Sequence, residues 1–188
     1  MSLAFTILGF LNLGEMTGYE LKKAIDSSTQ AFWHAELSQI YPTLKRLEQK
    51  GWASVQTIPQ NGKPDKKLYA ITGNGQQVLM DWLREPLDET PAVKSPILLK
   101  LFFMGELECE ELLAQLHFQL EIQRARLKRY QQESKQIIRN VSEAEDMKQN
   151  GMLWELVRQY GELQAQTSIQ WLEGAIEKIE AENENHRD

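Results

Sequence analysis

The chain has 188 residues, of which 41% are hydrophobic and 26% charged, an ordinary globular composition that can bury one large core or two small ones. Its net charge of −6 is uneven: nine basic and eight acidic residues (+1) lie in residues 1–85, twelve and nineteen (−7) in 86–188. The overall acidity therefore does not exclude nucleic acid, because phosphates meet the local field, and residues 36–67 hold six basic residues to three acidic.

The apolar run Leu3–Leu13 is too short to span a bilayer, lacks a basic leader and is interrupted by Gly9 and Asn12. It reads as a deeply buried first helix rather than a signal or an anchor. Gly14 breaks it. Thr17 then caps a second helix, TGYELKKAIDSS, with Tyr19, Leu21 and Ile25 inward and Lys22 and Lys23 projecting elsewhere. Residues 29–36 connect, carrying Phe32 and Trp33.

Residues 38–52, SQIYPTLKRLEQKGW, combine a seam of Ile40, Leu44 and Leu47 with an opposite face of Ser38, Pro42, Lys45, Arg46 and Gln49, flanked by Gln39 and Tyr41. Reading a major groove requires hydrogen-bonding side chains near the helix start and cations for phosphate, and this face offers both. An amphipathic helix with a merely solvated face is the plain alternative. Pro42 predicts either a late start or a kink, and Gly51 predicts the stop. Three helices with this third one make a helix-turn-helix.

WASVQTI (52–58) and KLYAI (67–71) carry strand formers around the turn-rich PQNGKPD, which predicts a β-hairpin with Lys63, Lys66 and Lys67 on or beside its tip. Placed directly after such a helix, the hairpin is a wing able to reach the sugar-phosphate backbone. Thr72 caps a fourth helix through Val78, Leu79, Trp82 and Leu83, ending before Pro86. The Gly73-Asn74-Gly75 stretch is turn chemistry, because Val78 stands where a dinucleotide fingerprint needs a third glycine.

Residues 1–85 thus form one predicted domain, and the three prolines of 86–96 mark a linker. Residues 97–188 form a helical domain. Positions 113, 116, 120, 123, 127, 130, 134 and 137 predict one long heptad-like helix, carrying Leu113, Leu116, Leu120 and Leu127. A last helix from about Leu153 to Ile179 shows Leu156, Tyr160, Leu163, Thr167 and Trp171 along one side. Two helices cannot bury such stripes against each other alone, so self-association through Leu113, Leu116, Leu120, Leu127, Leu156, Tyr160 and Leu163 is expected.

The single Cys109 precludes an intrachain disulfide and has no metal-site or nucleophile neighbours, which suits a reducing cytoplasm. His34, His117 and His186 are scattered, and no metal cluster, GxSxG or phosphate loop occurs, so neither an enzyme nor a cofactor is expected. A winged helix serving only protein contacts would be expected to lack the basic residues of the third helix and hairpin.

Taken together, TGYELKKAID, FWHAELSQIYPTLKRLEQKGW and GKPDKKLYAITGNG resemble the PadR family of bacterial transcriptional regulators over residues 3–84. Tyr41-Pro42 and PDKKLYAIT are the most specific parts. The helical half, entered by KSPILLKLFFMGEL, is similar to the family's longer virulence-activator-like C-terminal region.

The resemblance implies a mainly α protein, an N-terminal winged helix-turn-helix with a two-stranded β-wing joined to a long-helix dimerisation domain. It implies a homodimer on inverted-repeat duplex DNA, more often repressing than activating, in some members released by a small aromatic or phenolic effector. Carried over, the DNA-contacting positions are Tyr19, Ser38, Gln39, Tyr41, Pro42, Lys45 and Lys66, to which position alone adds Lys22, Arg46, Lys63 and Lys67. For an effector, Trp33, Trp154, Arg158, Tyr160 and Trp171 are the candidate lining, with Arg158 able to pair a carboxylate. Plain packing of these aromatics is the alternative.

Overall fold

The computed structural model describes residues 2–29, 33–60, 62, 65–87, 94–142 and 147–185. The chain divides into two compact units, residues 1–91 and 92–188. Lys63, Phe32, His186 and most of the expected linker lie outside the described residues.

In the first unit, α1 (Ser2–Leu13), α2 (Gly18–Ser28) and α3 (Leu37–Gln49) precede an antiparallel hairpin, β1 (Ala53–Ile58) and β2 (Lys66–Ile71), and α4 (Gly73–Arg84) closes the unit. Ile7, Leu8 and Leu11 of α1 meet Leu21 and Ile25 of α2, Ile40, Leu44 and Leu47 of α3, Tyr69 of β2 and Leu79 of α4 in one core. Phe5 and Trp82 stack at 4.6 Å beside it, joining α1 to α4. Burying each such Leu or Ile side chain contributes about 1.5–3 kcal/mol, so the helices are held mainly by this centre.

Local chemistry sets the ends. The Thr17 hydroxyl accepts from the Glu20 amide while Glu20 accepts from the Thr17 amide, a reciprocal cap that starts α2. Gly51, at φ 68°, takes the left-handed turn that ends α3, and the Trp52 amide returns to the Leu47 carbonyl at 2.9 Å. The Thr72 hydroxyl accepts from the Gly75 amide and donates to the Gly51 carbonyl at 2.6 Å, so one side chain starts α4 and anchors it to the end of α3. Gly75 is required there, because a Cβ would run into the Trp52 carbonyl.

The hairpin pairs Ala53 with Ile71 through to Ile58 with Lys66. On its other edge Tyr69 exchanges two main-chain bonds with Met16, at 3.0 and 2.9 Å, so the turn ahead of α2 acts as a one-residue third strand.

The second unit contains α5 (Pro96–Phe103), α6 (Cys109–Arg129), α7 (Lys135–Ser142) and α8 (Lys148–Asn185). Ser95 caps α5 and Pro96 occupies its first position. Helix α8 runs antiparallel to α6 and α7: Leu116 and Leu120 pack with Leu172 and Ile176, the Tyr130 ring covers Gly161, and Ser142 meets Gly151.

The expectation of one unbroken helix is corrected in this unit. The long heptad-like helix is broken by a π-turn, Tyr130–Ser134, which shifts the inward position from Ile137, 46% exposed, to Ile138. The cause is tertiary: Arg158 of α8 donates to the Tyr130 carbonyl at 3.1 Å, and the ring needs the space over Gly161. In α8 the packed face is Gly151, Arg158, Gly161, Ala165, Leu172 and Ile176, small residues that admit α6 and α7 closely, while Leu156, Tyr160, Leu163 and Trp171 stay exposed within one chain.

Consequently Leu116 and Leu120, at 0% and 4% exposure, belong to the seam inside the chain and are not available to a second copy. Leu113 packs against the same cluster and Leu127 is half-buried. No helix among the described residues is long and apolar enough to cross a membrane.

Candidate nucleic-acid interface

Helix α3 is positioned by its buried side. Ile40, Leu44 and Leu47 are shut into the core and Thr43 is 2% exposed, leaving Ser38, Gln39, Tyr41, Pro42, Lys45, Arg46 and Gln49 outside. The helix begins at Leu37 and passes through Pro42 without stopping. Pro42, the sixth residue of the helix, lies past the first turn, so its missing N–H costs the helical bond to the Ser38 carbonyl. Thr43 donates its hydroxyl to the Gln39 carbonyl at 2.8 Å and accepts from Arg46 at 2.9 Å, so Arg46 is braced along the helix while remaining exposed. Lys45 stands clear, with no ion pair among the described residues.

Gln39 has a second role that spacing did not reveal. Its side-chain oxygen accepts from the Glu36 amide at 3.1 Å, which caps the helix and fixes the amide at the start of the exposed face. Beside it, Tyr41 is 48% exposed, and the covered part of its ring lies across Gly18 of α2.

Helix α2 contributes Tyr19, which is 67% exposed; the expectation that it lies inward is corrected, because Gly18, Leu21 and Ile25 form the buried line. Lys22 is also corrected as a DNA contact. Its ammonium pairs with Asp26 at 2.7 Å and reaches Glu36 at 3.7 Å, with the side chain 17% exposed, so it holds α2 to the start of α3.

In the wing, Lys66 opens β2 opposite Ile58, and Lys67 is exposed opposite Thr57. The Lys66 ammonium lies 3.4 Å from Glu20, with 40% of the side chain exposed. The Thr17 amide, then the Thr17 hydroxyl and the Lys66 charge, hold the Glu20 carboxyl below the usual carboxylate range. A phosphate approaching Lys66 therefore competes with an ionised Glu20. Sequence reading took Thr17 as a cap but missed this partner, which the T-x-x-E spacing signals.

Of the expected effector lining, Trp33 lies in the first unit and Trp154, Arg158, Tyr160 and Trp171 in the second. The Trp33 indole N–H is buried without a hydrogen-bond partner among the described residues. In the second unit, Arg158 is 7% exposed and already occupied by Glu155, Glu162 and the Tyr130 carbonyl, so it is not free for a ligand carboxylate. Trp154 is half-buried, whereas Tyr160 and Trp171, at 63% and 42% exposure, lie outside the packed face. A shallow concavity of about 560 Å³ lies elsewhere in this unit, between α5 and α6 around Leu99, Phe103 and Leu107. Among the described residues no group of three His, Cys, Asp or Glu could hold a metal.

Residues 7–81 match the transcriptional regulator PadR-like family and residues 93–180 the virulence activator alpha C-terminal family. The sequence is 38% identical to the negative transcriptional regulator PadR of Bacillus subtilis over 127 residues, 66% of this chain and 69% of that protein. The structure is similar to that of Bacillus subtilis PadR in complex with operator DNA (TM-score 0.78, 29% identity, 95% of this chain and 99% of that one). It is similar also to PadR in complex with p-coumaric acid (TM-score 0.74, 28% identity, 96% and 99%). The Vibrio cholerae virulence activator AphA shares the fold (TM-score 0.70, 24% identity, 95% and 98%). With a winged helix-turn-helix unit and a long-helix unit each matched in turn, the chain belongs to the PadR-like family of transcriptional regulators.

Proposed function

We propose that this regulator binds an inverted-repeat operator in duplex DNA as a homodimer, with α3 in the major groove and the β1–β2 wing on the flanking backbone. The observation that carries the reading is the face of α3 itself. A fully buried Ile40, Leu44 and Leu47 seam fixes it outward, and it combines polar readers with Lys45 and Arg46, while the wing adds Lys66 and Lys67. The operator complex of the Bacillus subtilis relative supports it. Residues 1–85 would be the DNA-binding domain, 86–96 the linker and 97–188 the dimerisation domain.

Dimerisation would use the exposed apolar line of α8, in which Leu156, Tyr160 and Leu163 are each more than half exposed within one chain, too much apolar surface to leave in water. Repression rather than activation follows the relative described as a negative regulator, and a cytoplasmic location follows DNA binding. Release by a small aromatic or phenolic acid rests on the p-coumaric acid complex of the same relative. Its lining here would exclude Arg158.

The test is selection of bound sequences from random duplexes, followed by anisotropy at graded salt. The reading expects an inverted repeat with half-sites about 10 base pairs apart, or a multiple of that, and a steep salt slope. A binder of no duplex, or one whose affinity ignores salt, would overturn it. Operator release on adding p-coumaric acid tests the effector separately.

A further inference from the structure

Gly18, the first residue of α2, is buried on the side facing α3. A Cβ built on it would lie 2.6 Å from Cε1, 2.9 Å from Cζ and 3.2 Å from Oη of Tyr41. Real Cβ atoms do not approach ring carbons so closely, so the outer edge of the Tyr41 ring occupies space that only glycine leaves. The ring is thereby laid across the first turn of α2 with its other part exposed on the α3 face. Two features keep α2 from moving aside. The reciprocal Thr17–Glu20 cap fixes its start, and Met16, two residues before Gly18, is bonded through both main-chain groups to Tyr69 of the wing.

We propose that Gly18 is a positioning residue for DNA sequence recognition, because the space it leaves fixes the one orientation in which Tyr41 is presented to a base edge. This rests on the reading of α3 as the recognition helix. Any side chain at 18 pushes the Tyr41 ring off α2 and out of that orientation. The phosphate-facing cations Lys45, Lys66 and Lys67 keep their places, so sequence-independent binding is left intact.

The experiment compares wild type, Gly18→Ala, Tyr41→Ala and the double variant, each as the full chain. Anisotropy is read on the duplex that wild type selects from a random pool and on a scrambled duplex of equal length. Gly18→Ala is expected to lose roughly tenfold or more on the selected duplex and less than about twofold on the scrambled one. The double variant is expected to bind as Tyr41→Ala does, since without the ring there is nothing left to misplace. Gly18→Ala binding the selected duplex like wild type, or losses that multiply in the double variant, would overturn the proposal. Were Gly18→Ala to fold poorly, the double variant, relieved of the overlap, still makes the comparison with Tyr41→Ala. A ¹⁹F spectrum of the chain carrying fluorotyrosine adds a readout without DNA, in which the Tyr41 signal moves in Gly18→Ala. An unmoved signal overturns the packing argument, whereas failure of wild type to select any duplex strikes the reading of α3 instead.

Discussion

Replacing Arg158 with Ala tests how the helical unit is held together. The guanidinium makes a two-pronged pair with Glu155, both contacts at 2.8 Å, a further bond to Glu162 at 2.6 Å and one to the Tyr130 carbonyl at 3.1 Å. Removing it leaves two carboxylates, two helical turns apart, without the cation they share, and takes a donor from the Tyr130 carbonyl. Breaking a fully buried pair from one side costs about 3–5 kcal/mol. Here the Glu155 and Glu162 side chains keep 32% and 22% exposure, so water recovers part of that and the expected loss is about 2–3 kcal/mol.

In a unit of this size the loss lowers Tm by roughly 10–20 °C. Urea and thermal unfolding at one fixed protomer concentration measure it, since assembly makes Tm concentration-dependent. The pH profile is a second, sharper reading. Arg158 first holds the Glu155 carboxyl below the usual carboxylate range, and Gln131 and then Arg158 do the same for Glu162. Depressed carboxylates contribute stability that is complete above the unfolded pKa and disappears as pH falls through the folded values. The gap between wild type and Arg158→Ala should therefore be full near pH 7 and shrink below about pH 4.5. A variant within about 0.5 kcal/mol of wild type, or a gap unchanged from pH 7 to pH 3, refutes the reasoning.

Lys66→Ala should weaken binding to all duplexes alike and reduce the salt slope by about one. An unchanged slope in anisotropy titrations removes Lys66 from the phosphate contacts. Leu156→Asp combined with Leu163→Asp should give folded monomers in sedimentation, because both residues are exposed within one chain, whereas Leu120→Ala should cost about 2–5 kcal/mol in stability because that leucine fills the chain's own seam. Thr72→Ala should destabilise the winged unit by about 1–2 kcal/mol, through loss of the α4 cap and of the bond to Gly51, and chemical denaturation reads that directly.

The readable parts of the fold were those set by neighbours in sequence. Thr17 and Thr72 as caps, Gly51 as a stop and the strand formers of WASVQTI and KLYAI around a turn-rich stretch placed α2, α3, the hairpin and α4, because each depends on a few consecutive residues. What escaped is tertiary. The π-turn exists because a residue 28 positions later bonds the Tyr130 carbonyl. The packed side of α8 was chosen by Gly161 and Ala165, which admit a close neighbour, and not by the larger apolar stripe that periodicity favours. At the interface, Ser38, Lys45 and Arg46 stand outward as the seam of α3 requires. Lys22 shows the opposite lesson: a lysine on a surface helix is committed elsewhere once Asp26 and Glu36 come within reach.

The Met16–Tyr69 bridge makes β2 a strand whose successive amides record different motions. In an antiparallel ladder the residues of one strand alternate between its two edges. Both main-chain groups of Tyr69 are spent on Met16, and the flanking Leu68 and Ala70 sit opposite Gln56 and Ser54 of β1. Peeling of the hairpin releases the amides of Leu68 and Ala70 to solvent deuterium but leaves that of Tyr69 protected. Lifting of the whole wing away from the turn before α2 does the reverse. Hydrogen exchange along three adjacent residues can thus separate fraying of the wing from its detachment, and show which of the two is arrested when a duplex is added.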